Sequence, residues 1–414
     1  MTPAARLAAA IELYGDIMQR RLAADRAIGG WFRGRRYAGS GDRRAITALV
    51  YDALRRSGEL RWRVGDGAPR LVVMAASGES VERLDVLCDG SKFAPAALTD
   101  EERAILGQTR AGEMPPHAAL NYPAWLHDEF VARFGDALGE ELGALAGRAA
   151  VDLRVNTLKA TRDAVLARLA AEGIAASATP FAPTGIRLGE AVRLDKHELM
   201  ESGQVEPQDE AAQLATMLVQ AEPGMTVIDL CAGAGGKTLG LASTMNNQGR
   251  LLAFDRDARR LNRLAPRAER AGVSIVETPA DQAGLAGTAD RVLLDVPCSG
   301  TGTWRRNPEA RWHLDAGTLA HHRHNQAALL DEGAALVAPG GRLVYATCSL
   351  LPVEDEGAVD AFLARNPGFA RLDAAEIAAT VTGATPPFSG PDMLLTPLRH
   401  GTDGFFCALL QRLN

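Results

Sequence analysis

The sequence contains no apolar run that approaches the roughly 20 residues needed to span a bilayer. Its first ten residues lack the charged start, apolar middle and small-residue cleavage site of a secretory signal. We therefore expect a soluble, cytoplasmic protein. Internal repeats and low-complexity tracts are also missing. With 414 residues, 47% of them hydrophobic and 23% charged, the chain has a globular composition and a length that suggests two or three domains.

Cysteine is scarce, with five residues at positions 88, 231, 298, 348 and 407. Their odd number and wide spacing argue against a disulfide framework, and the absence of a CxxC pair argues against zinc. His321, His322 and His324 lie in a predicted helix with poor one-face spacing, so we interpret them as surface residues and expect no bound metal. The chemistry of individual thiols is the better hypothesis.

Lysine is absent from residues 1–70, which nevertheless hold fourteen Arg against seven Asp and Glu, a local charge of +7 within a chain of net charge -6. Nine of these arginines fall within about thirty residues, a density suited to phosphate contacts through guanidinium groups. They are Arg33, Arg35, Arg36, Arg43, Arg44, Arg55, Arg56, Arg61 and Arg63. We expect RNA contact here, although a solvated helical face has the same pattern.

The hydrophobic periodicity predicts three domains. Residues 1–115 have a helical pattern, as in Ile46, Leu49, Val50, Ala53 and Leu54, and end in a stretch rich in Gly and Pro. Residues 116–206 predict a small α+β subdomain, with a strand at 152–156, a helix at 162–172 and short apolar stretches around Ile186 and Val192. In residues 207–414, strand-like runs alternate with helices, which predicts a doubly wound, mostly parallel sheet. These runs are 226–230, 250–254, 273–276, 291–295 and 342–347.

A glycine-rich turn follows the first of these strands, where a doubly wound sheet receives a nucleotide-like ligand. The turn reads Cys231-Ala232-Gly233-Ala234-Gly235-Gly236-Lys237-Thr238 and is neither GxGxxG nor a Walker loop. Asp255 ends the second strand and is placed to bind ribose hydroxyls, while Asp281 follows the third and is placed to accept the adenine amino group. Adenosine without phosphate, held by a Gly turn and two carboxylates, indicates S-adenosylmethionine.

Two cysteines follow the next two strands, Cys298 in Asp295-Val296-Pro297-Cys298 and Cys348 in Thr347-Cys348-Ser349. Neighbouring parallel strands end at one edge of the sheet, so both thiols are predicted to reach one cleft. Addition of a thiolate to carbon 6 of cytosine makes carbon 5 nucleophilic enough to attack a methylsulfonium. Asp295 is a candidate to recognise the exocyclic amine of cytosine, and Lys237 to position the base. Cys88 and Cys407 are expected only to pack.

These residues carry a resemblance to the Nop/Sun-like RNA cytosine-5 methyltransferases, and within that family to the bacterial 16S rRNA methyltransferase B type. The similar segments are LRVNTLK at 153–159, QDEAAQL at 208–214, DLCAGAGGKT at 229–238, DVPCSGTGTWRRNPE at 295–309, YATCSLLPVEDE at 345–356 and DGFF at 403–406. The resemblance implies that Cys348 is the covalent nucleophile and that Cys298 assists product release. It also implies cofactor contacts from residues 231–237, Asp255, Asp281 and Asp295.

The first hundred residues resemble the NusB-like RNA-binding domain that this subgroup carries, especially at 42–56, DRRAITALVYDALRR. The resemblance implies a class I Rossmann-like methyltransferase domain and favours rRNA as the partner, without a membrane and as a monomer. Two departures are present: the family usually has Ala-Pro where this chain has Gly233-Ala234, and Asn where it has Asp355. A tRNA methyltransferase, a DNA cytosine-5 methyltransferase and a non-catalytic RNA-binding assembly factor are the alternatives.

Overall fold

A computed structural model of the chain describes residues 1–65, 68–108, 110–189, 194 and 196–413. Two compact units account for it, one formed by Met1–Arg148 with Trp304–Ala316 and the other by Ala149–Thr303 with Gly317–Asn414. The boundary predicted near residue 115 thus lies within the first unit, and the division into three domains stays a prediction. Val192, named above for its apolar stretch, lies outside the described residues.

The α-helices are α1 (Pro3–Gln19), α2 (Ala24–Arg33), α3 (Ser40–Arg55), α4 (Ser57–Val64), α5 (Pro69–Ser77), α6 (Val81–Leu87), α7 (Asp100–Gly107), α8 (Pro116–Ala119), α9 (His127–Phe134), α10 (Leu138–Ala146), α11 (Arg162–Ala171), α12 (Glu198–Glu201), α13 (Glu210–Leu218), α14 (Gly236–Thr244), α15 (Ala258–Leu261), α16 (Leu264–Ala271), α17 (Ala310–His313), α18 (Ala316–Leu336), α19 (Glu356–Arg365), α20 (Ala374–Thr382) and α21 (Pro397–His400). Short 3₁₀ helices cover Ala124–Leu126, Gly135–Ala137 and Thr301–Thr303.

The strands are β1 (Val151–Val155), β2 (Ala176–Ala178), β3 (Gly185–Leu188), β4 (Val205–Pro207), β5 (Thr226–Asp229), β6 (Arg250–Ala253), β7 (Val276–Glu277), β8 (Ala289–Asp295), β9 (Val337–Thr347), β10 (Phe369–Arg371), β11 (Met393–Leu395) and β12 (Phe405–Arg412). None of the helices in the described part of the chain is long and apolar enough to cross a membrane.

The first unit is built from helices, as the periodicity of residues 1–115 predicts. Helix α1 begins with Pro3 at a position where a missing N–H costs nothing, and the Thr2 hydroxyl caps it by accepting from Ala5 N. In α3, Ile46, Val50 and Leu54 recur on one face and are completely buried. Burial of such side chains stabilises the unit by about 1.5–3 kcal/mol each.

A distant segment of the chain, residues 304–316, also packs in the first unit. The indole N–H of Trp312 donates to the carbonyl of Leu54 at 2.9 Å, and Glu309 accepts from the Ala24 amide at 2.9 Å. Trp304 packs edge-on against Phe130, with ring centroids 5.6 Å apart. The first six residues of this segment belong to the motif at 295–309, and nothing in its local pattern indicates that it packs with the helices.

In the second unit, an antiparallel sheet of order β2-β3-β1-β4 packs with α11. Leu153, Val165, Leu169 and Ile186 form its buried core. The α+β character predicted for this region is confirmed.

The larger sheet has the order β10-β12-β9-β8-β5-β6-β7, and β11 pairs with β12. Strands β7, β6, β5, β8 and β9 pair in parallel, whereas β12 runs antiparallel to β9. Successive residues point to opposite faces: Leu293 joins one buried cluster, and its neighbours Val292 and Leu294 join the other. The doubly wound, mostly parallel sheet predicted from the sequence is therefore confirmed.

Several details of the sheet differ from the prediction. Strand β7 begins at Val276 rather than at residue 273, because the Val273 amide still donates to Ala268 at the end of α16. Strands β10, β11 and β12 were not predicted; in β12 the apolar residues 405–410 are all buried and lack the polar alternation of a half-buried strand. These differences leave the carboxyl ends of β5, β6, β8 and β9 on the same edge.

Candidate active site

The glycine-rich turn connects β5 to α14 and uses backbone angles that other residues rarely adopt. Gly233 has φ 56° and Gly235 has φ 87°. A Cβ on Gly235 would lie 2.2 Å from Leu264 Cδ1, and one on Gly233 would lie 2.6 Å from the Arg260 guanidinium. The turn is thus tight at the position where the family usually has Ala, so this chain relies on the freedom of glycine there.

Asp255 follows β6 and faces this turn. Its carboxylate accepts from Gly233 N at 2.8 Å and from Asp257 N at 2.7 Å, and it is almost entirely buried. The Arg260 guanidinium lies 3.7 Å away. The structure therefore brings Asp255 to the Gly turn, with each oxygen held by one backbone donor and one lone pair left for a ligand.

Asp281, unlike Asp255, is exposed to solvent. It lies beyond β7 in an exposed turn, where its carboxylate accepts from Ala283 N at 2.9 Å. This bond is an ordinary turn-forming contact. Among the described residues Asp281 makes no hydrogen bond to the Gly turn, and its role stays a prediction.

Asp229, the last residue of β5, was not singled out by sequence reasoning beyond its place in the motif at 229–238. It is almost completely buried, and one carboxylate oxygen accepts from the Thr238 hydroxyl at 2.7 Å. The Cys231 amide is close enough to the carboxylate to favour its charged form, and the second oxygen has no partner at full hydrogen-bonding geometry among the described residues. Burial raises the pKa of Asp229 to about 7, assisted by the charge of Asp295. A buried carboxylate with an oxygen left over is a ready acceptor for a polar ligand at the Gly turn.

Lys237 and Asp295 form the polar centre of the site. Lys237 Nζ donates to Asp295 Oδ2 at 2.6 Å and lies 5.0 Å from the centre of the Phe405 ring. Burial disfavours the charged form of Lys237, but Asp295, Asp229 and Cys348 outweigh burial, so the pKa of Lys237 is raised. Lys237 therefore remains an ammonium, and the sequence prediction that it belongs to the site agrees with its position.

Cys298 and Cys348 meet at the ends of β8 and β9. Their sulfur atoms are 3.4 Å apart, and the backbone between them is tied by bonds from Val296 N to Ala346 O and from Gly302 N to the Cys348 carbonyl. A hydrogen bond to Cys348, burial and the charges of Cys348 and Glu354 all raise the pKa of the Cys298 thiol. The convergence predicted from the strand order is thus present.

The motif at 403–406 lies against the first of these loops. Gly404 N donates to Gly302 O at 2.9 Å, and a Cβ on Gly302 would lie 2.1 Å from the Gly404 carbonyl oxygen. Both positions need glycine because the two backbones touch. The motif at 403–406, although distant in sequence from both cysteines, is therefore in contact with the loop that follows Cys298.

Asp355, where the family usually has Asn, is buried and accepts from the Thr347 hydroxyl at 2.6 Å. An Asn side-chain oxygen accepts the same bond, so this departure preserves the contact that holds the residue before Cys348.

Among the described residues, the other cysteines and the histidines make no hydrogen bond to the Cys298 or Cys348 sulfur atoms. Cys88 and Cys407 are buried in hydrophobic clusters, as predicted, and burial raises the pKa of each thiol. Cys231 begins the Gly turn, and burial raises its pKa as well. His321 and His324 are exposed, whereas His322 is half-buried.

Comparison with known proteins places the chain among RNA methyltransferases. A family model described as "16S rRNA methyltransferase RsmB/F" matches residues 216–411, and a "Methyltr_RsmF/B-like, ferredoxin-like domain" matches residues 122–195. The chain is 35% identical to "Ribosomal RNA small subunit methyltransferase B" of Pseudomonas putida, covering 82% of this chain and 78% of the relative. It is 34% identical to a "Probable ribosomal RNA small subunit methyltransferase B" of Synechocystis, covering 76% and 70%.

Solved structures agree on the fold. The crystal structure of PH0851 superposes with a TM-score of 0.78 at 27% identity, covering 100% of this chain and 99% of that one. A methyltransferase homologue from Pyrococcus horikoshii superposes with a TM-score of 0.61 at 26% identity, covering 72% and 97%. The second unit therefore has the Rossmann-like fold of S-adenosylmethionine-dependent methyltransferases.

Proposed function

Because the chain belongs to the RsmB/F family of 16S rRNA methyltransferases, we propose that it methylates carbon 5 of a cytosine in 16S rRNA, with S-adenosylmethionine as methyl donor. One observation carries the proposal. The sulfur atoms of Cys298 and Cys348 lie 3.4 Å apart at the strand edge that also holds the Lys237–Asp295 pair. Two thiols at this spacing can act on the same cytosine, one as the nucleophile and the other as a proton-transfer group.

In the proposed reaction, Cys348 attacks carbon 6 as a thiolate, and the Lys237 ammonium nearby favours that charge. The new carbon–sulfur bond makes carbon 5 nucleophilic, and S-adenosylmethionine, when bound, supplies an electrophilic methyl group on a sulfonium. Asp295 accepts from the exocyclic amine and so selects cytosine over uracil. The base has to be unstacked to enter, which loops of RNA allow.

Cys298 completes the cycle by taking the proton from carbon 5, after which the carbon–sulfur bond breaks and Cys348 leaves as a thiolate. The hydrogen bond to Cys348 is the largest cause that raises the pKa of Cys298, and the charge of Cys348 acts in the same direction. Once the Cys348 sulfur is bonded to carbon, it no longer carries that charge. Loss of that charge removes one of the causes that raise the pKa of Cys298, while burial and the charge of Glu354 remain.

The residues at the Gly turn fit an adenosine-containing donor. The free oxygen of Asp229 and the remaining lone pairs of Asp255 are acceptors without a cation bound to them within hydrogen-bonding distance in the described chain. These hydrogen-bond acceptors suit a ligand with hydroxyl and amino groups rather than phosphate, which needs positive charge or free N–H groups. We assign the donor-binding contacts to residues 231–237, Asp255, Asp281 and Asp295.

Replacing Asp255 or Asp281 with Ala is expected to weaken S-adenosylmethionine binding by about 1–3 kcal/mol, roughly 5- to 150-fold in Kd, because each change removes a hydrogen-bonding carboxylate. Isothermal titration calorimetry measures the effect. Asp373→Ala is the matched control, since Asp373 accepts from Ala375 N two residues ahead, as Asp281 does from Ala283 N, but caps α20. Equal affinity in the Asp255 and Asp281 variants and the wild type removes both residues from the site.

The arginine-rich helices support an RNA-facing role for the first unit, but only some of the nine arginines are available. Arg35 pairs with Glu12 at 2.9 Å, and Arg56 pairs with Glu59 and Asp52 at 3.1 Å each. Arg33, Arg36 and Arg44 are exposed, and no ion pair to them occurs among the residues that the structure describes. We infer that these three provide the phosphate contacts, beside the exposed ring of Tyr37.

The double variant Arg36→Glu, Arg44→Glu is therefore expected to bind RNA more weakly, with a salt slope reduced by about one unit per lost phosphate contact. Arg83→Glu, on α6 of the same unit, is the control because its arginine is also exposed. Fluorescence anisotropy at several salt concentrations measures both quantities. A slope equal to that of the wild type contradicts the assignment. Point variants are preferable to deleting residues 1–110, which removes the partners of residues 304–316.

Radiolabelled methyl transfer tests the substrate itself. Transfer to 16S rRNA, with 5-methylcytosine recovered after nuclease digestion, is the expected result, and bisulfite sequencing then locates the base. Transfer to tRNA alone, or to DNA alone, would replace the proposal with the corresponding alternative.

A further inference from the structure

A carboxylate behind the two cysteines holds both of their loops. Glu354 is completely buried, and its side chain accepts from Ser299 N at 2.9 Å, from the Ser299 hydroxyl and from the Ser349 hydroxyl at 2.7 Å. Ser299 directly follows Cys298, and Ser349 directly follows Cys348. One side chain therefore ties the residues after the two thiols to each other.

The rest of the surroundings fix Glu354 itself. Gln326 Nε2 on α18 donates to its carboxylate at 2.9 Å and to the Pro297 carbonyl at 3.0 Å. The Tyr345 hydroxyl on β9 donates to the Glu354 backbone carbonyl at 2.6 Å. Strand β9, which leads to Cys348, and helix α18 thus contribute to the same network as the two cysteine loops.

The kind of donor is informative. Within the described residues, all the hydrogen-bond partners of the Glu354 side chain are neutral N–H or O–H groups, and none of the ion pairs includes it. Burying an ionised carboxylate is costly, and neutral hydrogen bonds offset that cost only when several of them converge with good geometry. The loops therefore lose these bonds if either one moves, which makes their relative position rigid.

We propose that Glu354 is a positioning residue that fixes the separation of the Cys298 and Cys348 sulfur atoms. Its link to catalysis rests on the proposed function of these thiols. Glu354 does not touch the reacting atoms in this role; it acts through Ser299 and Ser349. In the sequence alone, Glu354 is one of three consecutive acidic residues, and nothing indicates that its side chain is buried.

The amide side chain of Gln reproduces the required geometry. In Glu354→Gln, the side-chain oxygen accepts from Ser299 N and Gln326, while its NH₂ donates to the two serine hydroxyls, which accept as readily as they donate. Glu354→Asp is one methylene shorter, and Glu354→Ala has no acceptor. A positioning role therefore predicts that Gln rescues the function lost in Ala and Asp.

The direct readout is the rate at which the two thiols form a disulfide with the thiol oxidant diamide, in the full-length protein without RNA. Two thiols are oxidised to one disulfide while diamide takes up both hydrogens, and peptide mass spectrometry quantifies the Cys298–Cys348 crosslink. We expect wild type and Glu354→Gln to react at similar rates, and Glu354→Ala and Glu354→Asp to react about tenfold to a hundredfold more slowly, because reaction depends on alignment at close range.

Glu210→Ala is the matched control. Glu210 is also completely buried and accepts from the Phe181 and Ala182 amides at 2.6 and 2.8 Å, away from the cysteine loops. Its loss is expected to lower thermal stability to an extent comparable with Glu354→Ala while leaving the crosslinking rate unchanged. Crosslinking slowed equally in both variants would mean general loosening and would overturn the proposal, as would a wild-type rate in Glu354→Ala.

Turnover provides the second readout. Glu354→Ala is expected to lower kcat with little change in KM for RNA or in S-adenosylmethionine affinity, and Glu354→Gln is expected to restore kcat. A Gln variant that crosslinks normally but does not turn over would show that the negative charge is required, which contradicts a purely positioning role. Because crosslinking is measured without RNA, this proposal can fail or stand independently of the proposed methylation.

Discussion

Cys348→Ala is expected to abolish methyl transfer to RNA and to form no covalent complex with it. The reason is that carbon 5 of cytosine becomes nucleophilic only after a thiolate adds to carbon 6, and Cys348 is the thiol at the end of β9. Removing a covalent nucleophile lowers kcat by roughly 10⁴-fold or more in enzymes that depend on one. Radiolabelled methyl incorporation measures the loss.

Cys88→Ala is the control for this variant, because Cys88 is buried in the helical unit and is expected only to pack. S-Adenosylmethionine affinity should be retained in Cys348→Ala, which separates lost chemistry from lost folding. Substantial turnover by Cys348→Ala would remove the residue from the role of nucleophile.

Cys298→Ala is expected to accumulate a covalent protein–RNA complex. In the proposed mechanism Cys348 would still attack and carbon 5 would still be methylated in this variant, but the base that takes the carbon 5 proton would be missing. Elimination then slows, and general-base catalysis typically contributes about 10²- to 10⁴-fold to such a step. The complex is expected to survive denaturing gel electrophoresis, to require the target RNA and S-adenosylmethionine, and to contain one methyl group per adduct.

The double variant Cys298→Ala, Cys348→Ala is the control, and the complex should vanish in it. A mechanism of the DNA cytosine-5 type makes the opposite forecast, since its nucleophile follows a proline, as Cys298 follows Pro297. Trapping by Cys348→Ala rather than by Cys298→Ala would exchange the roles assigned to the two thiols.

Local sequence patterns predicted the sheet and the position of the two cysteines. The alternation of apolar strands and helices predicted the parallel sheet, and strand order alone predicted that Cys298 and Cys348 converge, as their 3.4 Å separation confirms. Lys237 and Asp295 were named from their motifs and form an ion pair at 2.6 Å. The parallel sheet and the convergence of the two cysteines were predictable because each depends on residues that are close in sequence and on the rule that parallel strands end at one edge. The roles assigned to Lys237 and Asp295 stay predictions.

Other features depend on contacts that sequence periodicity cannot report. The arginines near residue 40 look alike in the sequence, but Arg35 is paired with an acid, whereas no ion pair to Arg36 occurs in the described part of the chain, since pairing depends on which acid a fold brings nearby. Asp281 follows its strand as Asp255 does, but only Asp255 is held against the Gly turn. Position after a strand does not decide how a side chain is used.

The sequence by itself determined the class of fold, the runs that form the parallel strands and the residues proposed to bring chemistry to the strand edge, because these follow from hydrophobic periodicity and short motifs. Only the tertiary structure decided that residues 304–316 pack with the helices, and that Glu354 bonds to Ser299, 55 residues earlier. The physical reason is that burial and hydrogen-bond satisfaction are set by groups distant along the chain. A buried carboxylate and an exposed one have the same letter in the sequence, and only the surrounding donors distinguish them.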